Sequence, residues 1–174
     1  MIDAEKVISK ATQAAFGKPV INNVFRAIIA ETVVACSLPE EWAWCSGDWA
    51  PCDFKHCDGT RLEVKQSAAR QSWHSAGDAP SKGVFDIAIR KGFYDGTEWN
   101  EAEGRNADIY VFAFHPVADD TADQRDPAQW HFYVVPTSQL PATKRIGLPA
   151  VARLASPVGC LDLAHTVEKL RGAL

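Results

Sequence analysis

An aspartate, a glutamate and a lysine (Asp53, Glu63 and Lys65) fall within one short run, CDFKHCDGTRLEVKQ at 52–66. The run reads as two strands joined by a tight turn at Asp58-Gly59. Strand side chains alternate faces, so Glu63 and Lys65 point the same way. An apolar sheet face has no use for two opposite charges side by side. A divalent-metal phosphodiesterase does: carboxylates hold the ion, and a lysine beside it positions or deprotonates water. The bland alternative is a solvated strand face, with only Leu62 and Val64 turned to the core.

Whether Asp53 joins the pair depends on the turn. In a two-residue Asp58-Gly59 turn, Cys57 faces Thr60 and Phe54 lies opposite Glu63. Asp53 then falls on the other face, because a one-residue slip flips every side chain. In a three-residue loop, Cys57-Asp58-Gly59 with the glycine left-handed, His56 faces Thr60 and Asp53 lies across from Glu63. Both loops suit Asp-Gly, and the metal chemistry requires the second or an equivalent odd-length one.

A further acid lies upstream. Val24, Ile28, Glu31, Ala35 and Leu38 follow a four-three-four-three spacing, one stripe of a helix, and Glu31 sits inside it. A carboxylate among aliphatics is costly unless it is paired or binds a metal. Either the stripe is partly exposed with Glu31 paired to a base, or Glu31 serves the same site.

The elements that must position these residues read as α/β throughout. Residues 3–16 form an amphipathic helix with Val7, Ile8, Ala11, Ala14 and Ala15 on its apolar side, broken by Gly17-Lys18-Pro19. Asn22 or Asn23 caps a second helix from Val24 to Ser37. Glu41–Gly47 is a first strand, followed by the motif hairpin. Residues 66–82 read as a loop, Val84–Lys91 as an edge strand, and Gly92–Arg105 as turns. Asp108–His115 and Trp130–Pro136 are the strongest strands, apolar enough for burial on both faces. Leu161–Arg171 closes the chain as a helix bearing Leu161, Leu163, Ala164, Val167 and Leu170.

The 174 residues suit one domain, 1–174, with a real core. No apolar run is long enough to span a bilayer, so no membrane is expected. The N-terminus lacks the layout of a signal peptide, and an odd number of cysteines, five, suits reduced thiols in a cytoplasm. A net charge of −4 works against a nucleic-acid enzyme, although 61–91 holds six basic residues against three acidic ones. The acids Asp119, Asp120, Asp123 and Asp126 gather in what reads as one solvated loop. Cys45, Cys52, His56 and Cys57 offer an alternative, a thiolate zinc site. Their spacing lacks Cys-x-x-Cys, and His56 and Cys57 point to opposite faces of a strand.

Asp53 followed, after a short glycine turn, by Glu63-Val64-Lys65 resembles the active-site hairpin of the PD-(D/E)XK nuclease superfamily. Pro51 is separated from Asp53 by Cys52, a departure at a degenerate position. Across roughly residues 20–140, Glu63–Ala69 with Gln71-Ser72-Trp73, then Ala107–Phe112 and Trp130–Ser138, are similar to uncharacterised bacterial proteins of this fold. The resemblance implies a restriction-endonuclease-like mixed β-sheet flanked by helices and a nuclease acting on nucleic acid, with duplex DNA expected. It implies Mg²⁺ or Mn²⁺ held by Asp53, Glu63 and the Val64 carbonyl, with Glu31 holding it through water or supporting a second ion. Catalytic roles extend to Lys65 and Gln66, and nucleic-acid contacts to Arg61, Arg70, Gln71 and Trp73. With no recognition domain visible, a homodimer or a partner protein is expected to supply specificity. A domain of the same fold that binds nucleic acid without cutting it is the competing reading.

Overall fold

The computed structural model describes residues 2–45, 50–75, 77–95 and 97–174. Helix α1 (Ala4–Phe16) begins where the Asp3 carboxylate accepts the Lys6 N–H at 2.8 Å. None of its side chains is buried, and Val7 and Ile8 stay exposed. The expected apolar face therefore exists as a pattern, but it does not contribute to the core. Helix α2 (Asn23–Ser37) starts from Asn22, whose Oδ1 accepts the Val24 N–H at 2.7 Å, and stops before Pro39. Its packed side is Ile29, Ala30, Val33 and Val34, whereas Val24 and Ile28 are exposed. The stripe through Glu31 is thus partly exposed: Val24 and Ile28 face outward, while Ala35 and Leu38 pack against the core. Because α2 is aliphatic around much of its circumference, its periodicity did not single out one side.

The main sheet has five strands in the order β1-β2-β3-β7-β8. They are β1 (Trp42–Trp44), β2 (Phe54–His56), β3 (Arg61–Ala68), β7 (Ile109–His115) and β8 (His131–Pro136). Strand β1 is shorter than expected; positions 46 and 47 of the expected strand lie outside the described residues. All neighbours pair antiparallel except β3 and β7, which run parallel from Leu62↔Ile109 to Ala68↔His115. That pairing carries β3 three residues past Lys65, so the loop expected from 66 begins only at 69. Strand β4 (Val84–Asp86) pairs with β9 (Arg145–Gly147), outside the main sheet. The stretch read as turns contains a hairpin, β5 (Phe93–Asp95) with β6 (Glu98–Asn100). Helices α3 (Leu148–Leu154) and α4 (Cys160–Arg171) complete the chain.

Strand β7 is buried along its whole length, as its composition predicts. Ile109, Val111 and Ala113 join one core with Leu62 and Val64 of β3 and with α2 and α4, through Ile29, Val33, Leu163 and Val167. Tyr110, Phe112 and Phe114 join the other, with Phe85, Val135, Ile146 and Val151. Leu161, placed by sequence on the apolar side of α4, is 93 % exposed; Leu163 and Val167 make the contact instead. The chain is thus a mixed α/β protein whose five-stranded sheet lies between two apolar layers. Among the described residues no helix is long and apolar enough to cross a membrane.

Candidate active site

The hairpin turn decides what Asp53 can reach. Phe54 pairs with Leu62 and Lys55 with Arg61. His56 donates its N–H to the Thr60 carbonyl at 2.8 Å, and Gly59 donates to the His56 carbonyl at 2.9 Å. Gly59 has φ +98°, a left-handed conformation that glycine adopts without a Cβ penalty. The Asp58 carboxylate accepts the Thr60 N–H at 2.9 Å and fixes the bend. The loop is therefore Cys57-Asp58-Gly59, the longer of the two alternatives. The paired register ends at Phe54↔Leu62, and Asp53 lies one residue before β2, beside the middle of β3.

Local backbone geometry then places the carboxylate. Asp108 donates its N–H to the Arg61 carbonyl at 2.9 Å, so the peptide groups of Arg61 face β7. Those of Leu62 and Val64 face the β2 side by alternation. The Asp53 N–H meets the Leu62 carbonyl at 3.1 Å, and the Asp53 Oδ2 accepts the Val64 N–H at 2.7 Å. A cleft of about 260 Å³ opens at this point, lined by Glu31, Asp53, Val64, Lys65 and Gln66 with Ala27 and Asp86. Glu63 lines a neighbouring cleft of about 340 Å³ that shares Lys65 and Asp86 with the first.

The electrostatics follow from crowding acids at a half-buried edge. Burial, then the nearby Glu63 carboxylate, pushes the Asp53 carboxyl up to about 7, against the lowering effect of the Val64 N–H. Burial also raises Glu31, opposed by the Trp44 Nε1–H, which donates to its Oε2 at 3.1 Å. Lys65 Nζ donates to Glu63 Oε1 at 2.5 Å. Each acid thus has a donor of its own within the protein. Among the described residues, no group of three or more His, Cys, Asp or Glu side chains is drawn together tightly enough to hold a metal. By donor chemistry the set is all oxygen: three carboxylates and the Val64 carbonyl, the type a hard divalent cation takes.

The remaining expected residues divide by location. Gln66 lines the cleft and accepts a hydrogen bond from Arg26 Nε. Gln71 is buried; its Nε2 donates to the Ala68 carbonyl at 2.7 Å and its Oε1 accepts from Arg26 Nη1 at 3.0 Å. Trp73 is 68 % exposed. Arg70 pairs with the exposed Asp120 at 2.6 Å, and Arg61 lies over the Phe93 ring at 5.7 Å. Of the four acids read as one solvated loop, Asp123 instead turns inward, its Oδ1 accepting the Val20 N–H at 3.1 Å. His56 packs at a tilt against Trp42, ring centroids 5.1 Å apart, and pairs with Asp58 at 2.9 Å, while burial pushes the Cys52 thiol up to about 12.

One cleft residue, Asp86, and one cation behind it, Arg26, which holds the cleft-lining Gln66, were missed from sequence. Asp86 enters from β4; burial works against its charge, but the Ala88 N–H and the Arg90 guanidinium hold its carboxyl below the usual range. The alternation of Val84-Phe85-Asp86 puts Asp86 opposite the core-facing Phe85, yet nothing in the sequence says which sheet β4 joins. Arg26 had no signal beyond being a base on α2.

No protein-family model, no curated protein and no solved structure matches the chain.

Proposed function

We propose that the protein is a metal-dependent phosphodiester hydrolase of restriction-endonuclease-like fold, acting on nucleic acid, with duplex DNA the expected substrate. The observation that supports this reading is the Cys57-Asp58-Gly59 loop, after which Asp53 lies beside the middle of β3, sharing a cleft with Lys65 and close enough to Glu63 to feel its charge. Crossing from the wrong face would have left the three groups with no shared function. The mixed five-stranded sheet with its parallel β3–β7 step supports the α/β class on which this reading rests.

Asp53, Glu63 and the Val64 carbonyl are the residues that would hold Mg²⁺ or Mn²⁺, with Glu31 in support. The chemistry the bound ion supplies is charge neutralisation at the phosphate and acidification of the attacking water. The chain's own part is to present these oxygens from β2, β3 and α2 and to relieve their mutual repulsion by sharing one cation. Lys65, kept beside Glu63, donates to the attacking water or to the phosphate oxygen on which charge grows. Gln66, fixed by Arg26, supplies an amide N–H₂ to the same space.

The test is incubation of plasmid and linear DNA with Mg²⁺ or Mn²⁺, comparing wild type with Asp53→Ala and Lys65→Ala. Each substitution is expected to slow cleavage by about 100-fold or more. Cleavage that survives both removes this site from consideration. One observation favours a second reading, a domain that binds nucleic acid without cutting it. Asp53, Glu63 and Glu31 each already have a protein donor. Binding without cleavage in either metal selects that reading.

A further inference from the structure

Arg26 is a half-buried cation held by neutral groups alone. Its Nε donates to Gln66 Oε1, and its Nη1 donates to Asn23 Oδ1 at 2.7 Å and to Gln71 Oε1 at 3.0 Å. All three acceptors are amide oxygens. Among the described residues no carboxylate pairs with it, in contrast to Arg70, Arg90, Arg125 and Arg171, each of which has one. Burial lowers its pKa, as expected for a charge drawn from water without a counter-ion, yet a guanidinium stays protonated at any ordinary pH.

Such an arrangement is costly and needs an explanation. Neutral amides orient a guanidinium without cancelling its charge, so the positive field remains available. Gln71 is itself fixed by the Ala68 carbonyl at 2.7 Å, which locks the fork in one orientation. Nη2 has no protein acceptor among the described residues and is not one of the buried unpaired atoms.

Location gives the ligand class. Ala27, the next residue, and Gln66, the residue Arg26 holds, both line the acidic cleft. That cleft carries Glu31, Asp53 and Asp86, and its lysine is already paired with Glu63. An anionic phosphodiester approaching it meets net negative charge. An uncompensated guanidinium directly behind the wall, bonded to the lining Gln66, offsets this and offers the planar donor geometry that phosphate oxygens match.

Resting on the nuclease reading above, we propose that Arg26 is a substrate-binding residue that receives a backbone phosphate of the nucleic acid next to the cleaved bond. Gln66, Gln71 and Asn23 are its positioning residues. They hold the fork open for an anion in place of a carboxylate that would block it.

The experiment measures binding of a short fluorescein-labelled duplex by anisotropy in EDTA across a salt series, for wild type, Arg26→Met and Arg26→Lys. Arg26→Met is expected to bind about tenfold more weakly or worse. Its slope of log affinity against log salt should be shallower by about 0.9, the signature of one lost phosphate contact. Arg26→Lys keeps the wild-type slope while losing affinity, an outcome that a purely structural role would not produce. Should Arg26→Met fail to fold, hydrogen exchange on the wild type replaces it. Peptides covering 22–28 and 66–71 are expected to gain protection when the duplex binds, and unchanged exchange with duplex bound overturns the proposal. Equal affinity and slope in Arg26→Met overturn it too, and leave the nuclease reading standing if wild type cleaves and Asp53→Ala does not. A wild type that neither binds nor cuts nucleic acid overturns both.

Discussion

The Oδ2 of Asp53 accepts the peptide N–H of Val64 at 2.7 Å, so one carboxylate ties the end of β2 to the middle of β3. The bond both places the acid and lowers its pKa, but burial and Glu63 outweigh that and hold it near 7.

Raised from an ordinary 3.8 to about 7, Asp53 makes stability fall as pH rises. Between these values the folded chain keeps a proton that the unfolded chain has lost. The contribution of this residue is full below about pH 4 and gone above about pH 7. Asp53→Asn keeps an acceptor for Val64 and removes the titration. It is expected to stabilise the protein at pH 8 by on the order of 1–3 kcal/mol and to flatten the pH 4–7 slope. Chemical denaturation at pH 4, 6 and 8 checks this, and a wild-type curve already flat over that window refutes it.

On the proposed reading a divalent cation displaces that proton, so its binding should strengthen with pH. At pH 8, Mn²⁺ at about 100 times its dissociation constant stabilises by about 2.7 kcal/mol. At pH 5 the same concentration does much less. Melting temperature against metal concentration reads the effect, and an equal shift in Asp53→Asn would place the ion elsewhere.

The loop length sets the register, so deleting Cys57 is more harmful than replacing it. With two residues left in the turn, Asp53 rotates to the opposite face. Cleavage should be lost while Cys57→Ser, at an exposed position, retains it. Gly59→Ala meets no neighbour within 4 Å, so only its backbone conformation is penalised, by about 1–2 kcal/mol. Urea melts of Gly59→Ala beside nuclease assays of the deletion separate stability from register.

Trp44 Nε1–H donates to Glu31 at 3.1 Å and opposes the raising effect of burial on that acid. Trp44→Phe keeps the ring that stacks on Phe54 and removes the donor. The Glu31 carboxyl should titrate at higher pH, seen by carbon-detected NMR of labelled glutamate. An unmoved titration would show that the bond is not made in solution.

The site hairpin was legible because strand alternation fixes Glu63 and Lys65 from sequence, and the two turn lengths left a single binary choice. β7 and β8 were legible for the same reason as most buried strands: continuous β-branched and aromatic runs. The α2 stripe through Glu31 was left with two readings because Ile29, Ala30, Val33 and Val34 form an equally apolar side, and only the position of the sheet selects the packed one. Short elements such as β5, β6 and β9 carry three residues each, too few for a period to show. Asp86 enters the cleft from β4 and Arg26 touches it only through Gln66, long-range relations that no local pattern encodes.

Strands β3 and β7 run in the same direction, so the chain between them must travel back along the sheet, and residues 69–108 make that return. β4 with Asp86 and the β5–β6 hairpin with its outward Tyr94 and Trp99 hang from this detour. Detours of this sort lengthen at little thermodynamic expense, since closure entropy grows only slowly with loop length. The rim of the cleft can therefore be rebuilt segment by segment while Glu63 and Lys65 stay anchored in β3 and Asp53 just before β2, which separates the surround of the cleft from its charged floor.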